Sequence, residues 1–539
     1  MNTQNRIIKF QIWSLIVMFA LLSSLPFLVP HCGLFSLIAF VPLFYLEKLC
    51  SDYHIKHTWW YYFTAFLLFN IASTFWIYFV SAAGSVAALT LNALQMTVIF
   101  SVFRWGKKRF PDYNILPYLF FIVMWLAWEH IYFNVEISWP WLVLGNSFAT
   151  SVKLVQWYEI FGTVGGSLWI LLTNVLIYFT VLSLCNDYSK RSVKWFFSIS
   201  AFLLIAVPVV CSLVRYNNYK ETEPGIEVVV VQPNIDPFKK YGILPQEELD
   251  RNMLEQVGGI ITPDTKYIIT PETFTYGLDL DNPTGSASFL RYRDFLSKYP
   301  EVNLLVGVLT YKYYPTYSKP TSSARPNGKF WYDVYNTALM MDYDGRFEYY
   351  HKSKLVPGVE IIPYQQYVPF LADLISKFGG ADNSYGTQED MSILEGNDGN
   401  KVGAMICYES IYGDYSRRAA KMGATFMAVM TNDGWWGDTP GYRQHFRYAS
   451  LRAIEMRRDV VHATNTGISG FINQRGDASQ KTPWWEAVAI RGEVHPNSVI
   501  TPFTKYGDVV GLTAAYAFLP LLILFFMHGF LEKSRKKRS

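Results

Sequence analysis

Residues Gly403 to Tyr412 read GAMICYESIY. The apolar run Val402, Ala404, Met405 and Ile406 reads as a buried strand. It stops at Cys407, and the polar pair Tyr408 and Glu409 follows at once. A strand that ends on a cysteine presents the sulfur at the carboxyl edge of a sheet, where α/β folds keep their chemistry. A single cysteine is more often a small buried hydrophobe than a nucleophile. The case for Cys407 therefore rests on its surroundings.

Two further stretches end in the same way. The strand Tyr267–Thr270 leads into Pro271-Glu272-Thr273, and a shorter, more polar lead-in at Tyr350-His351 delivers Lys352. Taken singly, Glu272 and Lys352 read as ordinary salt-bridge residues. Together with a cysteine they form a coherent nucleophilic site. A nearby cation lowers a thiol pKa from about 8.5, and a carboxylate can take the proton as general base. A lysine and the backbone N–H after the cysteine can stabilise an oxyanion. The product of such an attack is a thioester, which a second nucleophile resolves.

Strands alternate with helical stretches across this part of the chain. Strands are expected at Ile226–Val231, Val302–Leu309, Phe426–Thr431, Val460–Ala463 and after Gly467, with a helix at Gln444–Arg458. That alternation gives an α/β domain. Tyr311–Asn327 reads as a Tyr/Pro/Ser-rich loop, and residues 375–400, rich in Gly, Asp and Asn, as a flexible excursion over the site.

Composition places this domain in a membrane protein. The chain has 539 residues, 51% hydrophobic and 17% charged, where a soluble chain is about a quarter charged. Residues 1–216 and 508–531 are largely apolar, and 217–507 has ordinary globular composition. A spanning helix needs about 20 apolar residues. Candidates are Ile7–Leu28, Gly33–Leu49, Trp59–Val80, Ala83–Phe103, Leu116–Phe133, Gly162–Cys185, Trp195–Val214 and Val509–Leu531, about eight in all. The first has no A-x-A site after it and reads as a span, not a cleaved signal. The expected organisation is a bundle of about seven helices (1–216), a soluble domain (217–507), a final span (508–531) and a basic tail (532–539).

Lys and Arg cluster at alternate span ends: Arg6 and Lys9, then Lys48 and Lys56, then Arg104 to Arg109, then Lys190 to Lys194, then the tail Lys533–Arg538. The positive-inside rule puts both termini in the cytoplasm and the soluble domain on the outer face. One outer loop, Glu136–Thr150, carries Trp139, Trp141 and Leu142; aromatic belt and substrate contact both remain open there. The net charge of +4 does not suggest nucleic acid. Of five cysteines, four lie in or beside apolar segments, so no disulfide can form within the soluble domain.

The catalytic set Glu, Lys, Cys in that chain order resembles the nitrilase superfamily of carbon–nitrogen hydrolases. More closely, the chain is similar to the apolipoprotein N-acyltransferase family of bacterial membrane enzymes, over nearly its whole length. The matching motifs are Pro271-Glu272-Thr273, Tyr350-x-Lys352-x-x-Leu355-Val-Pro357 with Glu360, and Cys407-Tyr408-Glu409. Asn432-Asp433-x-Trp435-Trp436-Gly437-Asp438, Gln444-His445 and Thr464-Asn465-x-Gly467 also match, as do Pro140-Trp-Leu and Gly162-x-x-Gly165-Gly166-Ser167 in the apolar part.

The resemblance implies an αββα nitrilase-like fold on the periplasmic side of the bacterial inner membrane. It implies Glu272 as base, Lys352 as oxyanion stabiliser and Cys407 as nucleophile, with Glu360, Tyr408 and Glu409 in support. The donor would be a phospholipid, commonly phosphatidylethanolamine, and the acceptor the α-amine of a diacylglyceryl-cysteine on an apolipoprotein. No metal and no soluble cofactor is implied. A membrane-tethered amidase using water as acceptor is the alternative. Trp435 and Trp436 read as lid, acyl-chain contact or packing. His445 reads as structural, at the start of a helix and with no metal partner at ligand spacing. Two departures stand out. Lys240-Tyr241 replaces the family's Lys-Trp, which leaves Tyr241 a weak substrate contact. Val356-Pro-Gly358-Val359-Glu360 replaces Val-Pro-Phe-Gly-Glu, so the glycine has moved.

Overall fold

The computed structural model describes residues 3–110, 114–237, 244–316, 318–328, 330–377 and 380–538. Tyr241 lies outside the described residues. The chain forms two compact units. One comprises residues 1–75, 85–217 and 506–539, and the other residues 76–84 and 218–505.

The first unit is helical. Among the described residues, seven helices are long and apolar enough to cross a membrane, and Leu116–Tyr132 is a shorter apolar eighth. Two expected spans are not single helices. Gly33–Leu49 is a 3₁₀ turn, Gly33–Ile38, followed by the helix Val41–Asp52. Pro42 lies at the start of that helix, where a missing N–H costs nothing. At the break, Asn174 accepts from the Phe40 N–H at 2.7 Å and donates to Ser36 O at 2.8 Å. Such pairing is required, because an orphaned backbone group in hydrocarbon costs several kcal/mol, roughly. Trp59–Val80 likewise ends as a helix at Thr74 and continues as a 3₁₀ turn, Phe75–Phe79.

Aromatic rings fill the bundle interior. Phe44 packs on Phe100, Phe103, Tyr118, Phe121 and Tyr178 at 5.2–6.3 Å. The helix Arg191–Asn218 instead leaves Phe202, Val207, Val210 and Val214 exposed, as a lipid-facing surface does. The loop expected at a membrane–water interface is folded inward. Trp141 and Leu142 are buried, and Trp139 stacks on Trp141. Gly145 in this loop donates to Ser167 Oγ at 3.0 Å, and Tyr158 donates to Gly145 O at 3.0 Å.

The second unit is built on two sheets. Its strands are β1 (Ile226–Gln232), β2 (Thr265–Ile269), β3 (Thr275–Asp279), β4 (Asn303–Tyr314), β5 (Arg325–Asn327), β6 (Phe330–Met341), β7 (Phe347–His351), β8 (Leu394–Glu395), β9 (Lys401–Ile406), β10 (Phe426–Thr431), β11 (Val460–Thr464), β12 (Gly470–Ile472), β13 (Ala478–Ser479) and β14 (Val488–Val494). One sheet runs β14-β1-β2-β4-β6-β5, with β3 beside β4 and β7 beside β6; the other runs β13-β12-β11-β10-β9-β8. The central pairs β1/β2, β2/β4, β9/β10 and β10/β11 are parallel. Parallel strands are covered on both faces and so read as continuous apolar runs. Val228 to Val231 are all fully buried.

Val229 and Val231 pack with Leu249, Met253, Phe289 and Tyr292, which lie on the helices Gln246–Gly258 and Ala287–Leu296. On the opposite side, Tyr267 of β2 meets Phe426 of β10 edge-on at 5.2 Å. The second sheet carries the helices Gly413–Lys421 and Pro440–Met456. The layers are thus helix, sheet, sheet, helix, as the nitrilase resemblance implies.

Two local expectations change. Tyr311–Tyr314 is the end of β4 and Arg325–Asn327 is β5. A tyrosine-rich segment suits a pleated, half-buried surface, and Tyr313 pairs across to Tyr332 on β6. The helix at Gln444 begins at Pro440, because Thr439 accepts from the Gly441 N–H at 3.3 Å as N-cap and proline suits the first turn.

Candidate active site

Glu272, Lys352 and Cys407 all follow strands of the second unit: β2, β7 and β9. Gly307 on β4 permits the close approach of the Glu272 segment. A Cβ there would lie 2.7 Å from Thr273 N and 2.8 Å from the Glu272 Cα. Lys352 is fully buried. Its ammonium donates to Glu360 at 2.9 Å and to Glu272 at 3.1 Å. Glu272 and Glu360 are themselves 7% and 9% exposed, so solvent screens these pairs weakly. The buried ammonium is hydrogen-bonded to both carboxylates, which share it, as a buried ion requires.

The displaced glycine does not break this contact. Gly358 adopts φ 76°, a left-handed geometry that glycine takes without strain. Its N–H donates to Ile361 O at 2.7 Å, and Glu360 Oε2 accepts from the Val356 N–H at 2.9 Å. The turn thereby points Oε1 at Lys352.

Cys407 is the first residue of the 3₁₀ turn Cys407–Ile411 and has φ 53°. A non-glycine residue there is strained by about 1–2 kcal/mol and persists only when its neighbours fix it. They do. The fully buried Glu409 accepts from the N–H groups of Ile406 (2.8 Å), Ser353 (2.8 Å) and Lys354 (3.1 Å), and from the Tyr350 hydroxyl (2.6 Å). This one carboxylate ties the lysine segment to the cysteine turn. Tyr408 is buried, with its ring edge-on to Tyr412.

The electrostatics correct one expectation. Lys352 was expected to lower the Cys407 pKa. Its charge does pull the thiol down, but burial first, and then the negative charge of Glu272, push it well above the ordinary value. Burial alone would lower the Lys352 pKa, yet Glu272 and Glu360 hold it well above the usual lysine value. The resting site is therefore a protonated thiol beside a protonated lysine.

One contributor, Asn336, went unassigned in the sequence; a second, His445, read there as structural, is placed against the cysteine turn. Asn336, buried on β6, donates its side-chain amide to Glu272 at 2.6 Å and to Glu360 at 3.2 Å, and its backbone carbonyl accepts from the Lys352 backbone N–H at 2.8 Å. β6 also carries Asp333 and Thr337, so a polar residue on this strand did not by itself mark the site. His445 is fully buried, in the second turn of its helix rather than at its start. Its Nδ1 donates to Asp433 at 2.9 Å, and its Nε2 lies 2.9 Å from Ser410 Oγ and 3.1 Å from Cys407 O. It braces the strained turn.

Trp436 packs on Trp76 at 4.8 Å and on His445 at 5.5 Å, and both Trp435 and Trp436 are half-buried. Among the described residues, ligand atoms of Asp433, His445 and His462 lie within 4.8 Å of one another. The fold thus supplies the neighbours that sequence spacing hid. Both nitrogens of His445 are already engaged, which suits a hydrogen-bond relay.

The carbon–nitrogen hydrolase family model matches residues 230–500, which gives the class of the two-sheet unit. A second model, the apolipoprotein N-acyltransferase N-terminal domain, matches residues 19–176. The apolipoprotein N-acyltransferase of Chlorobaculum tepidum is 30% identical over 463 residues, 82% of this chain and 83% of the relative. Apolipoprotein N-acyltransferase 1 of Treponema denticola is 23% identical over 98% of this chain and 99% of its own length. A solved nitrilase-superfamily member, Nit3 of Saccharomyces cerevisiae, aligns over 54% of this chain and 97% of its own at 16% identity, with a TM-score of 0.36. The chain belongs to the apolipoprotein N-acyltransferase family.

Proposed function

We propose that Cys407 carries a fatty acyl chain from a phospholipid, such as phosphatidylethanolamine, to the α-amino group of the diacylglyceryl-cysteine that begins an apolipoprotein. The enzyme is an acyltransferase, and this is the last step of lipoprotein maturation. Relatives bearing that name over four-fifths or more of both chains support transfer over hydrolysis by water.

In the first half-reaction Glu272 takes the thiol proton as Sγ attacks the ester carbonyl. Lys352 faces the oxyanion, a contribution of roughly 3–4 kcal/mol to the transition state. The C–O bond breaks, and the proton on Glu272 passes to the departing lysophospholipid oxygen. In the second half, the amine attacks the thioester, loses its proton to Glu272, and the thiol is restored. Glu360 and Asn336 hold Lys352 and Glu272 in register. Glu409 fixes the cysteine turn, Tyr408 shapes the pocket, Tyr241 contacts substrate, and Trp435 and Trp436 form a lid or an acyl-chain contact. No step calls for a metal or a soluble cofactor.

The catalytic domain, residues 217–507, acts on the periplasmic side of a bacterial inner membrane, with residues 1–216 and 508–531 as its anchors and both termini, including the tail 532–539, in the cytoplasm. The alternation of basic residues between successive loops supports this orientation. Anchoring suits substrates whose chains leave lipid at a cost of about 0.8 kcal/mol per CH₂.

One observation carries the reading: a buried ammonium after β7, held by Glu272 after β2 and by Glu360 from the following turn, whose charge acts on a strained cysteine. The test is incubation with fluorescent-acyl phosphatidylethanolamine without acceptor. A hydroxylamine-labile acyl group on Cys407 is expected, absent in Cys407→Ser and discharged by a diacylglyceryl-cysteine peptide. No label on a folded protein would overturn the mechanism.

A further inference from the structure

The helical unit contains a second polar centre, unrelated to Cys407. Glu47, on the helix Val41–Asp52, is fully buried. It accepts from Arg104 at 3.4 Å, from Ser51 at 2.7 Å, and from the Lys107 ammonium. Arg104 also donates to the Tyr62 hydroxyl at 3.0 Å. Two cations thus share one carboxylate, with Arg104 and Lys107 only 7% and 6% exposed. The cluster carries one unbalanced positive charge in a low-dielectric setting, where an unpaired charge is costly.

A cavity of about 700 Å³ opens over this cluster. Its walls include Ser51, His54, Lys56, His57, Arg104 and Lys108. Among the described residues no carboxylate lines it, and neither Lys56 nor Lys108 has an ion-pair partner. The connection that forms one wall is held by two left-handed residues, His54 (φ 50°) and His57 (φ 55°). Thr58, at the start of the helix Trp59–Thr74, also lines the cavity. A helix N-terminus adds positive potential to a site already rich in cations. Three permanent cations, two imidazoles and hydroxyl donors converge on one roomy opening.

We propose that this cavity binds a phosphate-bearing anion, completing the charge of the Glu47–Arg104–Lys107 cluster. The phosphodiester of an acidic glycerophospholipid and free inorganic phosphate share this chemistry. Basic pockets between membrane helices hold anionic headgroups in this way.

The full chain is purified in detergent, exchanged with an equimolar mixture of phosphatidylglycerol and phosphatidylcholine, and its retained lipids counted by native mass spectrometry. The variant is Lys56→Ala/Lys108→Ala, whose side chains are exposed, with thermal melting as a check on folding. Inorganic phosphate is titrated separately against both proteins. Wild type is expected to retain phosphatidylglycerol over phosphatidylcholine. The variant is expected to lose that preference by roughly thirtyfold, from about 1 kcal/mol per basic residue. Phosphate binding that the variant loses, without lipid preference, would assign the same site to a soluble anion. Equal retention of both lipids with no phosphate binding would overturn the site. So would a lipid preference that the variant keeps. Cys407 acylation by fluorescent-acyl lipid, run in parallel, is expected to be unchanged in the variant.

Discussion

Replacing Asn336 by aspartate keeps the volume and turns a neutral hydrogen-bond donor into an anionic acceptor. The amide donates to both Glu272 and Glu360, at 2.6 and 3.2 Å. Hydrogen bonds to charged groups contribute about 1.5–3 kcal/mol each. Asn336→Ala removes both donors without adding charge. If one such bond is felt in the transition state, acylation slows by roughly 10- to 100-fold, at about 1.4 kcal/mol per factor of ten. Asn336→Asp goes further. It sets a third carboxylate against two that share a single ammonium. Like charges about 3 Å apart repel by roughly 5 kcal/mol at an effective dielectric constant near 20. The aspartate variant is therefore expected to acylate more slowly than the alanine variant, by a margin that widens as pH rises and its carboxylate ionises. The assay is the single-turnover rate of Cys407 labelling from fluorescent-acyl phosphatidylethanolamine, with melting temperatures alongside. A purely packing role for Asn336 predicts the opposite order, since aspartate fills the same space. An aspartate variant as fast as wild type, or faster than alanine, would refute the reasoning.

Lys352→Met leaves Glu272 and Glu360 buried without their cation; acylation should fall by at least 100-fold, and stability by about 3–5 kcal/mol in denaturant titration. Burial and Glu272 keep the resting Cys407 thiol protonated. Its alkylation by iodoacetamide should accordingly be slow at neutral pH, rise with pH, and be slower still in Lys352→Met, as mass spectrometry would record. Two histidines give the soluble unit a pH-dependent stability. Hydrogen bonding to Asp459 and the nearby acids raise His495 to about 9. Its contribution is thus complete below the unfolded value of about 6.5 and lost as pH climbs through 9. Burial, with the charge of Lys312, lowers His351 to about 4. Its contribution is therefore complete above about 6.5 and lost as pH falls towards 4. Melting curves should flatten on the alkaline side in His495→Gln and on the acid side in His351→Gln.

Much of this was legible because chemistry here sits at strand ends. β1, β9 and β10 are apolar runs bounded by polar residues, and their limits could be read to within a residue or two. Cys407 and Glu272 each follow such a run, and Lys352 follows a shorter, more polar one. What stayed hidden depends on contacts between distant segments. Nothing local in Tyr335-Asn336-Thr337 says that the asparagine faces two carboxylates, one 64 and the other 24 positions away. The inward fold of Trp141 and Leu142 was equally unreadable, since a tryptophan that suits an interface also suits a packed interior. The strand at Tyr311–Tyr314 was missed because proline and serine nearby drew the reading towards a loop, while its partner strand β6 lay further along the chain.

The sign of the thiol shift is instructive, because it shows why the base expected at Glu272 is needed. Sequence places a lysine near a cysteine, and that pairing alone predicts a thiolate. The lysine is already committed to Glu272 and Glu360 at 3.1 and 2.9 Å, so much of its field is cancelled before it reaches the sulfur. Burial then decides the balance, and the proton stays on. A nucleophile held this way gains its charge only as it attacks, with Glu272 receiving the proton in the same step. The charge developing on the substrate oxygen then restores to Lys352 an anion that has no competing cation. It follows that a phospholipid analogue mimicking the tetrahedral oxyanion should bind far more tightly than the ester itself, and that Lys352→Met should abolish this difference while leaving ester binding nearly unchanged. Equal loss of both affinities would mean that Lys352 serves the architecture of the site and not its transition state.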